Sequence, residues 1–376
     1  MAEIRIGMVG YAFMGKAHSN AWRQVSHFFP GKLTPKLQAI CGRNRAGVEK
    51  AAGELGWNSV ETDWRKLLER KDIDVIDVVT PGDSHAEISI AAAQAGKHVL
   101  CEKPLGNTFA EAKAMVTAVE KAGVRNMVLF NYRRVPAISF VKQLLAEGKL
   151  GRIFHFRAQY LQDWIVDPQF PRVWRLDKTV AGSGALGDLG AHITDLAQYL
   201  LGPLDKVMAL TETMIKTRPM PDDPTKSGEV TVDDSALYMG KIGEITASFE
   251  VTRLAPGRKN CLMFEINGSQ GSVRFNLERL NELEFYDRTQ PEPLQGWTNI
   301  MMTDGAHPYV GHWWPAGHII GYEHPFVHAV ADFLASVDTG KPVHPDFRDG
   351  AGVNAVLDAV VASAASGQWT PVATMK

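Results

Sequence analysis

Cysteine is scarce in this chain: Cys41, Cys101 and Cys261 are the only three among 376 residues, and none stands in a CxxC pair or at zinc-ligand spacing. Three widely separated thiols make a poor disulfide framework and suggest a reducing compartment. Long apolar runs are missing too. The opening "MAEIRIGMVG" lacks the apolar stretch behind a basic start that a secretory signal needs, and no later run reaches membrane-spanning length. The expected location is the cytoplasm, with no membrane partner. Nor does one sign of charge dominate: 40 Lys and Arg against 42 Asp and Glu leave a net charge of -2. That balance gives no electrostatic reason to expect nucleic acid as a partner. What is present is 45% hydrophobic and 22% charged residues, the texture of a globular protein, in a chain too long for one ordinary core. Two domains are expected, divided at residues 1–130 and 131–376, with a C-terminal segment able to pack back on the first.

Up to about residue 130, short apolar β runs alternate with helical segments, the pattern of βαβ units around a parallel sheet. "IRIGMVG", "LQAICG", "DVIDVVT", "KHVLCE" and "NMVLFNY" read as strands. "AHSNAWRQV", "AGVEKAAGEL", "SHAEISIAAAQAG" and "AEAKAMVTAVEKAG" read as the helices between them. After residue 150 the texture changes to successive strands, among them "GRIFHFRAQYL", "SALYMGKI", "EITASFEVTRL" and "CLMFEING", which predict a largely antiparallel sheet. Helices are expected at Asp188–Leu201 and from about Pro325 to Val337. "RPMPDDPTKSG" reads as a mobile loop.

The first strand ends in a dinucleotide fingerprint, Gly10-x-Ala12-x-x-Gly15. Gly10 allows the tight turn, Ala12 leaves backbone near a pyrophosphate, and Gly15 lets the next helix approach the sheet. The anion then sits on the helix N-terminus. The second strand lacks the acid that accepts ribose hydroxyls; Gly42 stands there with Arg43 beside it. An arginine at that place could hold a 2′-phosphate, so the residues leave NADP or dual use open. A solvated basic turn explains them equally well.

Two further stretches carry chemistry. In "HVLCEKPLGN", Lys103 follows a buried strand, and ligands of open α/β sheets bind beyond the carboxyl ends of strands. A cis bond is expected before Pro104. In "AGSGALGDLGAHITDLAQYLLG", Leu189, Ile193, Leu196, Ala197 and Leu200 form an apolar helical stripe, with Asp188 and His192 four apart on the adjacent one. Histidine suits reversible proton transfer, and a carboxylate beside it can orient a hydroxyl. The plainer reading makes Lys103 a surface residue, Asp188 a helix cap and His192 a core histidine.

In combination, the fingerprint, "VVTPGDSHAEISIAAAQAGKHVLCEKPL" and "GSGALGDLGAHITD" resemble the GFO/IDH/MocA oxidoreductase family over essentially the whole chain. The resemblance implies an α/β protein: an N-terminal Rossmann domain with a parallel sheet, and a C-terminal α+β domain with a large, mostly antiparallel open sheet. It also implies hydride exchange between a sugar-like alcohol and nicotinamide. On that reading Lys103 polarises the substrate oxygen, His192 takes or gives the hydroxyl proton, and Asp188 binds a neighbouring hydroxyl. The cofactor would be held by Gly10, Ala12, Phe13, Met14, Gly15, Gly42, Arg43, Thr80, Pro81, His85, Glu102, Lys103, Asn131, Trp174 and Arg175. The asparagine usual in the family after Thr80-Pro81 is Gly82 here. "GKAHSNAW", "NYRRVPA", "YLQDW" and "GQWTPV" look most like its pyranoside dehydrogenases acting at C3. That likeness slightly favours NAD over NADP.

Polar and aromatic groups suited to a pyranose follow: Tyr132, Arg133, Gln162, Asp163 and Trp164, then His307, Trp314 and His318 on an expected loop that also carries Tyr309 and Trp313. With Lys103, Asp188 and His192 they form the expected substrate set. His324 and His328 have a zinc-compatible i, i+4 spacing, but without HExxH and with Pro325 at a helix start no metal is expected. The expected activity is oxidation by NAD or NADP of a ring hydroxyl, at C3, of a pyranose, pyranoside or anhydrosugar. An NAD-dependent glycoside hydrolase using transient C3 oxidation, and a non-catalytic nucleotide sensor, are the alternatives. An open sheet face left bare would be a large apolar surface, so a homodimer or homotetramer is expected.

Overall fold

The structure is a computed structural model and describes residues 2–375. The chain divides into two compact units. One runs to Arg134 and resumes over Gly321–Ala351; the other comprises Val135–Ile320 and the chain from Gly352.

The first unit is built on β1 (Ala2–Val9), β2 (Leu33–Cys41), β3 (Val60–Glu61), β4 (Val75–Val78), β5 (His98–Cys101) and β6 (Asn126–Val128). They form a parallel sheet in the order β3-β2-β1-β4-β5-β6. Helices α1 (Phe13–Phe28), α2 (Arg45–Leu55), α3 (Trp64–Glu69), α4 (His85–Gln94) and α5 (Phe109–Ala122) connect the strands. Asn44, Asp63 and Thr108 cap three of them, each side chain accepting a backbone amide of its first turn. All four residues of β4, "VIDV", are buried, as parallel strands covered on both faces must be; the exception to their apolar character is Asp77. The strand expected over "NMVLFNY" stops at Val128, and Asn131–Arg134 close into a 3₁₀ turn instead. There Arg134 is buried and donates to Asp332 (2.8 Å) and to the His344 carbonyl (2.8 Å), contacts that an extended run would not have shown.

The second unit opens with α6 (Pro136–Ala146) and β7 (Ile153–Leu161), followed by α7 (Lys178–Ala181) and α8 (Ala191–Leu201). Its remaining strands are β8 (Lys206–Glu212), β9 (Thr217–Pro219), β10 (Ser227–Glu229), β11 (Ser235–Ile242), β12 (Ile245–Thr252), β13 (Cys261–Gly268), β14 (Gly271–Asn276), β15 (Glu282–Asp287), β16 (Trp297–Met301) and β17 (Thr370–Pro371). Nine of them form one sheet, β16-β15-β14-β13-β7-β12-β11-β8-β17. Every neighbour in it is antiparallel except β7 with β12, so those two strands deliver their carboxyl ends to the same edge.

The segment expected to be a mobile loop is instead pinned. β9 and β10 pair as a hairpin, and the fully buried Arg218 donates to the carbonyls of Ile165 (2.6 Å) and Asp167 (2.7 Å). The helix Phe347–Ser366, absent from the sequence-based pattern, is rich in Ala, Gly and Ser and so shows little periodic contrast.

Candidate functional site

In the first unit the glycine turn is forced by packing. Gly10 has φ +112°, and a Cβ there would stand 2.8 Å from the Val79 carbonyl; one at Gly15 would stand 3.0 Å from the Gly10 carbonyl. Ala12, the N-cap of α1, supplies no side-chain cap, and the first turn holds no acid. The helix start therefore offers backbone amides and a positive dipole end to an anion, a donor set that fits a dinucleotide pyrophosphate. Phe13 is exposed and stacks on Tyr322 at 6.3 Å, and Met14 is half-buried.

At the end of β2, Arg43 is exposed and Gly42 lies under the ring of Tyr11. A Cβ on Gly42 would meet Tyr11 Cε1 at 2.1 Å, and one on Gly47 would meet its hydroxyl at 2.7 Å. The tyrosine ring thus occupies the space that an acidic side chain at 42 would need. Beside Gly82 the corresponding space is filled by Asn107 Oδ1, 2.4 Å from where a Cβ would be.

Beyond β4 and β5, His85 braces two turns: Nε2 lies 2.8 Å from the Thr80 carbonyl and Nδ1 3.0 Å from that of Pro104. Ser84 donates to the Pro81 carbonyl (2.9 Å). The Lys103–Pro104 bond is cis, as expected. Behind Lys103 lies a buried chain of charges: Glu102 Oε2 accepts the Lys103 N–H (3.0 Å), and Glu102 Oε1 meets His18 Nε2 (3.0 Å). His18 Nδ1 meets both Asp77 oxygens (2.9 and 3.0 Å), and Trp22 Nε1 donates to Asp77 Oδ2 (2.7 Å). Burial opposes a charge on His18, but Asp77 and Glu102 outweigh it and push its pKa up to about 10.

Asn131, Tyr132 and Arg133 are all buried in the 3₁₀ turn, with Arg133 3.6 Å from Asp349. His324 and His328 are turned to backbone: His324 Nδ1 accepts the Gly321 N–H (3.0 Å), and His328 Nδ1 lies 2.9 Å from the Arg134 carbonyl.

In the second unit the glycine-rich stretch winds into a π-turn, Leu186–Gly190, that runs directly into α8. Its entry is set by Asp233, whose two carboxylate oxygens accept the N–H groups of Gly184 and Leu186 (2.7 Å each) and whose carbonyl accepts that of Ala185 (3.0 Å). Backbone comes so close that a Cβ on Gly184 would lie 1.8 Å from the Asp233 carbonyl oxygen. The π-turn places Asp188 half-exposed and His192 buried one turn later. Arg253, just past β12 and almost wholly buried, has Nη1 3.8 Å from Asp188 and lies 5.6 Å from the Trp164 ring centroid. Tyr160, at the end of β7, sets its ring edge-on to His192 at 5.9 Å. A polar chain then runs outward: Tyr160 OH and Gln162 Nε2 both donate to Asn260 Oδ1 (2.7 and 2.8 Å), and Trp164 Nε1 donates to Gln162 Oε1 (2.9 Å).

The parallel β7–β12 pair thus gathers Gln162, Trp164, Asp188 and His192 from the expected set. Asp163 is turned to a neighbouring loop, accepting from Lys259 Nζ (2.7 Å) and the Gly257 N–H (3.1 Å), and those bonds hold its carboxyl below the usual range. Trp174 is exposed with the Arg175 guanidinium 4.4 Å over its ring. His307 packs edge-on to Phe140 at 5.5 Å, Trp314 is exposed beside Trp313, and His318 Nδ1 lies 2.8 Å from the Pro315 carbonyl. Their loop contains Tyr309, with φ +66° the one non-glycine residue in left-handed backbone among those described.

Sequence reading missed Tyr11, His18, Trp22, Asp77, Tyr160, Arg253 and Asn260. The detectable signal was Asp77, a charge inside an otherwise apolar four-residue strand.

Residues 4–130 match an oxidoreductase family with an NAD-binding Rossmann fold, and residues 138–274 match the GFO/IDH/MocA C-terminal domain. Levoglucosan dehydrogenase of Pseudarthrobacter phenanthrenivorans is 40% identical over 99% of both chains. The chain belongs to the GFO/IDH/MocA family. This family member is an oxidoreductase with an NAD-binding domain. Among solved structures, an oxidoreductase domain protein from Kribbella flavida is 53% identical with a TM-score of 0.96, over 99% of this chain and 100% of that one. Levoglucosan dehydrogenase in complex with NADH and L-sorbose is 41% identical with a TM-score of 0.97, over all of both chains.

Proposed function

We propose that this GFO/IDH/MocA member is an NAD-dependent dehydrogenase that oxidises a ring hydroxyl, at C3, of a pyranose, pyranoside or anhydrosugar. The observation that carries the reading is the second-unit cluster, where Asp188 and His192 stand together with the Trp164 ring and the buried Arg253. Such a set suits a polyhydroxylated ring: carboxylate for hydroxyls, imidazole for a proton, indole for a C–H face. Full-length likeness to levoglucosan dehydrogenase supports an anhydrosugar or a close relative. NAD, when bound, supplies the hydride acceptor.

In this reading the Lys103 ammonium polarises the substrate oxygen, and His192 takes the hydroxyl proton as the carbinol hydride departs. Asp188 accepts from the neighbouring hydroxyl. Alcohol and NAD become ketone, NADH and one proton. The glycine turn and the α1 N-terminus would hold the dinucleotide's pyrophosphate. On the second unit's sheet, Leu210 of β8 lies directly opposite Leu237 of β11, and Met208 opposite Met239; Leu210, Leu237 and Met239 are exposed. This apolar strip supports self-association into a dimer or tetramer, and the absence of any membrane-spanning helix among the described residues is compatible with a cytoplasmic enzyme.

The test is the near-ultraviolet absorbance of NADH with purified protein, NAD or NADP, and a panel of levoglucosan, glucosides, inositols and substituted hexoses. Growth with a pyranoside or anhydrosugar supports the reading, and the position of the product ketone by NMR decides C3. Release of aglycone without NADH would replace the dehydrogenase with the hydrolase. Cofactor binding with no turnover on any polyol would replace it with the sensor.

A further inference from the structure

The chain of charges behind Lys103 is an unusual expense for a fold. His18, Asp77 and Glu102 are each at most about one-twentieth exposed, two carboxyl side chains on either side of an imidazole whose pKa they push up to about 10. Removing such groups from water costs several kcal/mol apiece, and well-packed apolar residues would usually serve stability as well or better. A purely structural account also leaves the geometry unexplained, because the hydrogen bonds form one continuous chain from α1 to the Lys103 backbone, with Asp77 and Glu102 as acceptors between the donors. Trp22 and His18 of α1 hold Asp77 in the centre of the sheet; His18 reaches on to Glu102, and Glu102 ends on the Lys103 N–H.

His18 also sits one turn beyond Gly15, whose carbonyl accepts from Ser19 Oγ (2.7 Å). Its ring packs 5.7 Å from Phe326, which packs on Tyr322, which stacks on Phe13 beside the glycine turn. One imidazole therefore ties the helix that starts at the cofactor turn to the backbone that launches Lys103.

We propose that His18 is a positioning residue for Lys103: through Glu102 it fixes the backbone from which the lysine projects, in register with the dinucleotide-binding helix. The proposal rests on the reading of Lys103 as the residue that polarises the substrate oxygen. His18 touches neither substrate nor cofactor in this account; it acts through Glu102.

The experiment compares His18→Gln, Asp77→Asn and Lys103→Met, with kcat on the active pyranoside at saturating NAD, NADH affinity by fluorescence titration, and thermal unfolding. A glutamine at 18 cannot bridge both carboxylates, so kcat should fall on the order of 10–100-fold, the cost of a lysine displaced by about an ångström, while NADH affinity stays near that of the wild type. Asp77→Asn is the conservative control. A neutral His18 can accept from the new amide at Nδ1 and still donate from Nε2 to Glu102, so position is kept and kcat should stay near wild type. A His18→Gln enzyme with lowered melting temperature but unaltered kcat would reduce the triad to structure and overturn the proposal, as would an Asp77→Asn enzyme as impaired as His18→Gln. If His18→Gln does not fold, Glu102→Ala removes the same hold on the Lys103 N–H; a kcat loss supports the proposal and wild-type kcat overturns it. Lys103→Met separates the two layers. If it is inactive while His18→Gln is fully active, the positioning role alone fails, and if it keeps turnover, the assignment of Lys103 fails beneath it.

Discussion

In the first unit the residue proposed to meet the substrate oxygen, Lys103, projects from a strand end braced by the buried His18, Asp77 and Glu102 side chains. In the second unit Asp188 keeps 31% of its side-chain surface exposed, with the buried Arg253 guanidinium 3.8 Å away. The first half is fixed by charge buried in depth, and the second by backbone winding, where a π-turn and a carboxylate-capped entry aim two side chains. Different tasks account for this. In the proposed roles, a lysine that only polarises must stay in place, whereas a carboxylate that accepts from a substrate hydroxyl must be open to it. The sharpest way to break the contrast is to remove the reacting groups themselves. Lys103→Met and His192→Ala should each lower kcat on the order of 10²–10⁴-fold with NADH affinity nearly unchanged. Wild-type turnover in either variant refutes the role assigned to that residue.

The next largest effect tests how the second half is aimed. Gly184→Ala would press a methyl group to within 1.8 Å of the Asp233 carbonyl oxygen, a backbone atom that cannot swing aside. Strain of this kind costs about 3 kcal/mol. Thermal or urea unfolding should show that loss, and a variant as stable as the parent would mean that the π-turn entry is looser than its hydrogen bonds imply. Arg253→Met comes after it. Without the guanidinium, Asp188 loses a nearby cation and the Trp164 face a cationic neighbour, so kcat/KM for the sugar should fall about tenfold, mostly through KM. A fall in kcat alone would assign Arg253 to the chemical step instead.

Much of the first half was legible. The βαβ alternation, the glycine turn and a lysine at a strand end are local patterns, and residues within a dozen positions of one another decide them. His18 was visible only as a letter in "GKAHSNAW", because its partners lie 59 and 84 residues away and nothing local says that an imidazole will sit between two buried carboxyl groups. Asp77 could have raised the question, since a lone carboxylate in a four-residue buried strand demands a partner. In the second unit the glycines of "AGSGALG" were readable, yet their reason was not: Gly184 is small because of Asp233, 49 residues later. Arg253 follows a strand like any solvated arginine. Only the parallel pairing of β7 with β12, a long-range choice within an otherwise antiparallel sheet, brings it to Trp164. The hairpin at Arg218 misled for the opposite reason, since its proline- and aspartate-rich letters describe a loop while one buried guanidinium pins it to carbonyls more than forty residues upstream.

The last comparison reads a change with pH rather than a loss of activity, and it probes the buried charges themselves. His18 titrates near 6.5 when unfolded and at about 10 in the fold, so the folded state binds the extra proton more tightly. The stability that this proton contributes is complete below pH 6.5. It declines as pH rises from there, and it is lost once pH has passed through about 10. One proton corresponds to a slope of about -1.4 kcal/mol per pH unit at most. Other groups also make stability depend on pH, among them His98 and Lys97, whose pKa values burial lowers. The informative quantity is therefore the difference in urea-unfolding free energy between wild type and His18→Gln at each pH. That difference should shrink between pH 7 and 10 and be level below pH 6. A difference that is level throughout would mean that His18 is neutral in the fold, and the first unit would then hold its lysine by hydrogen bonds of one neutral tautomer rather than by buried charge.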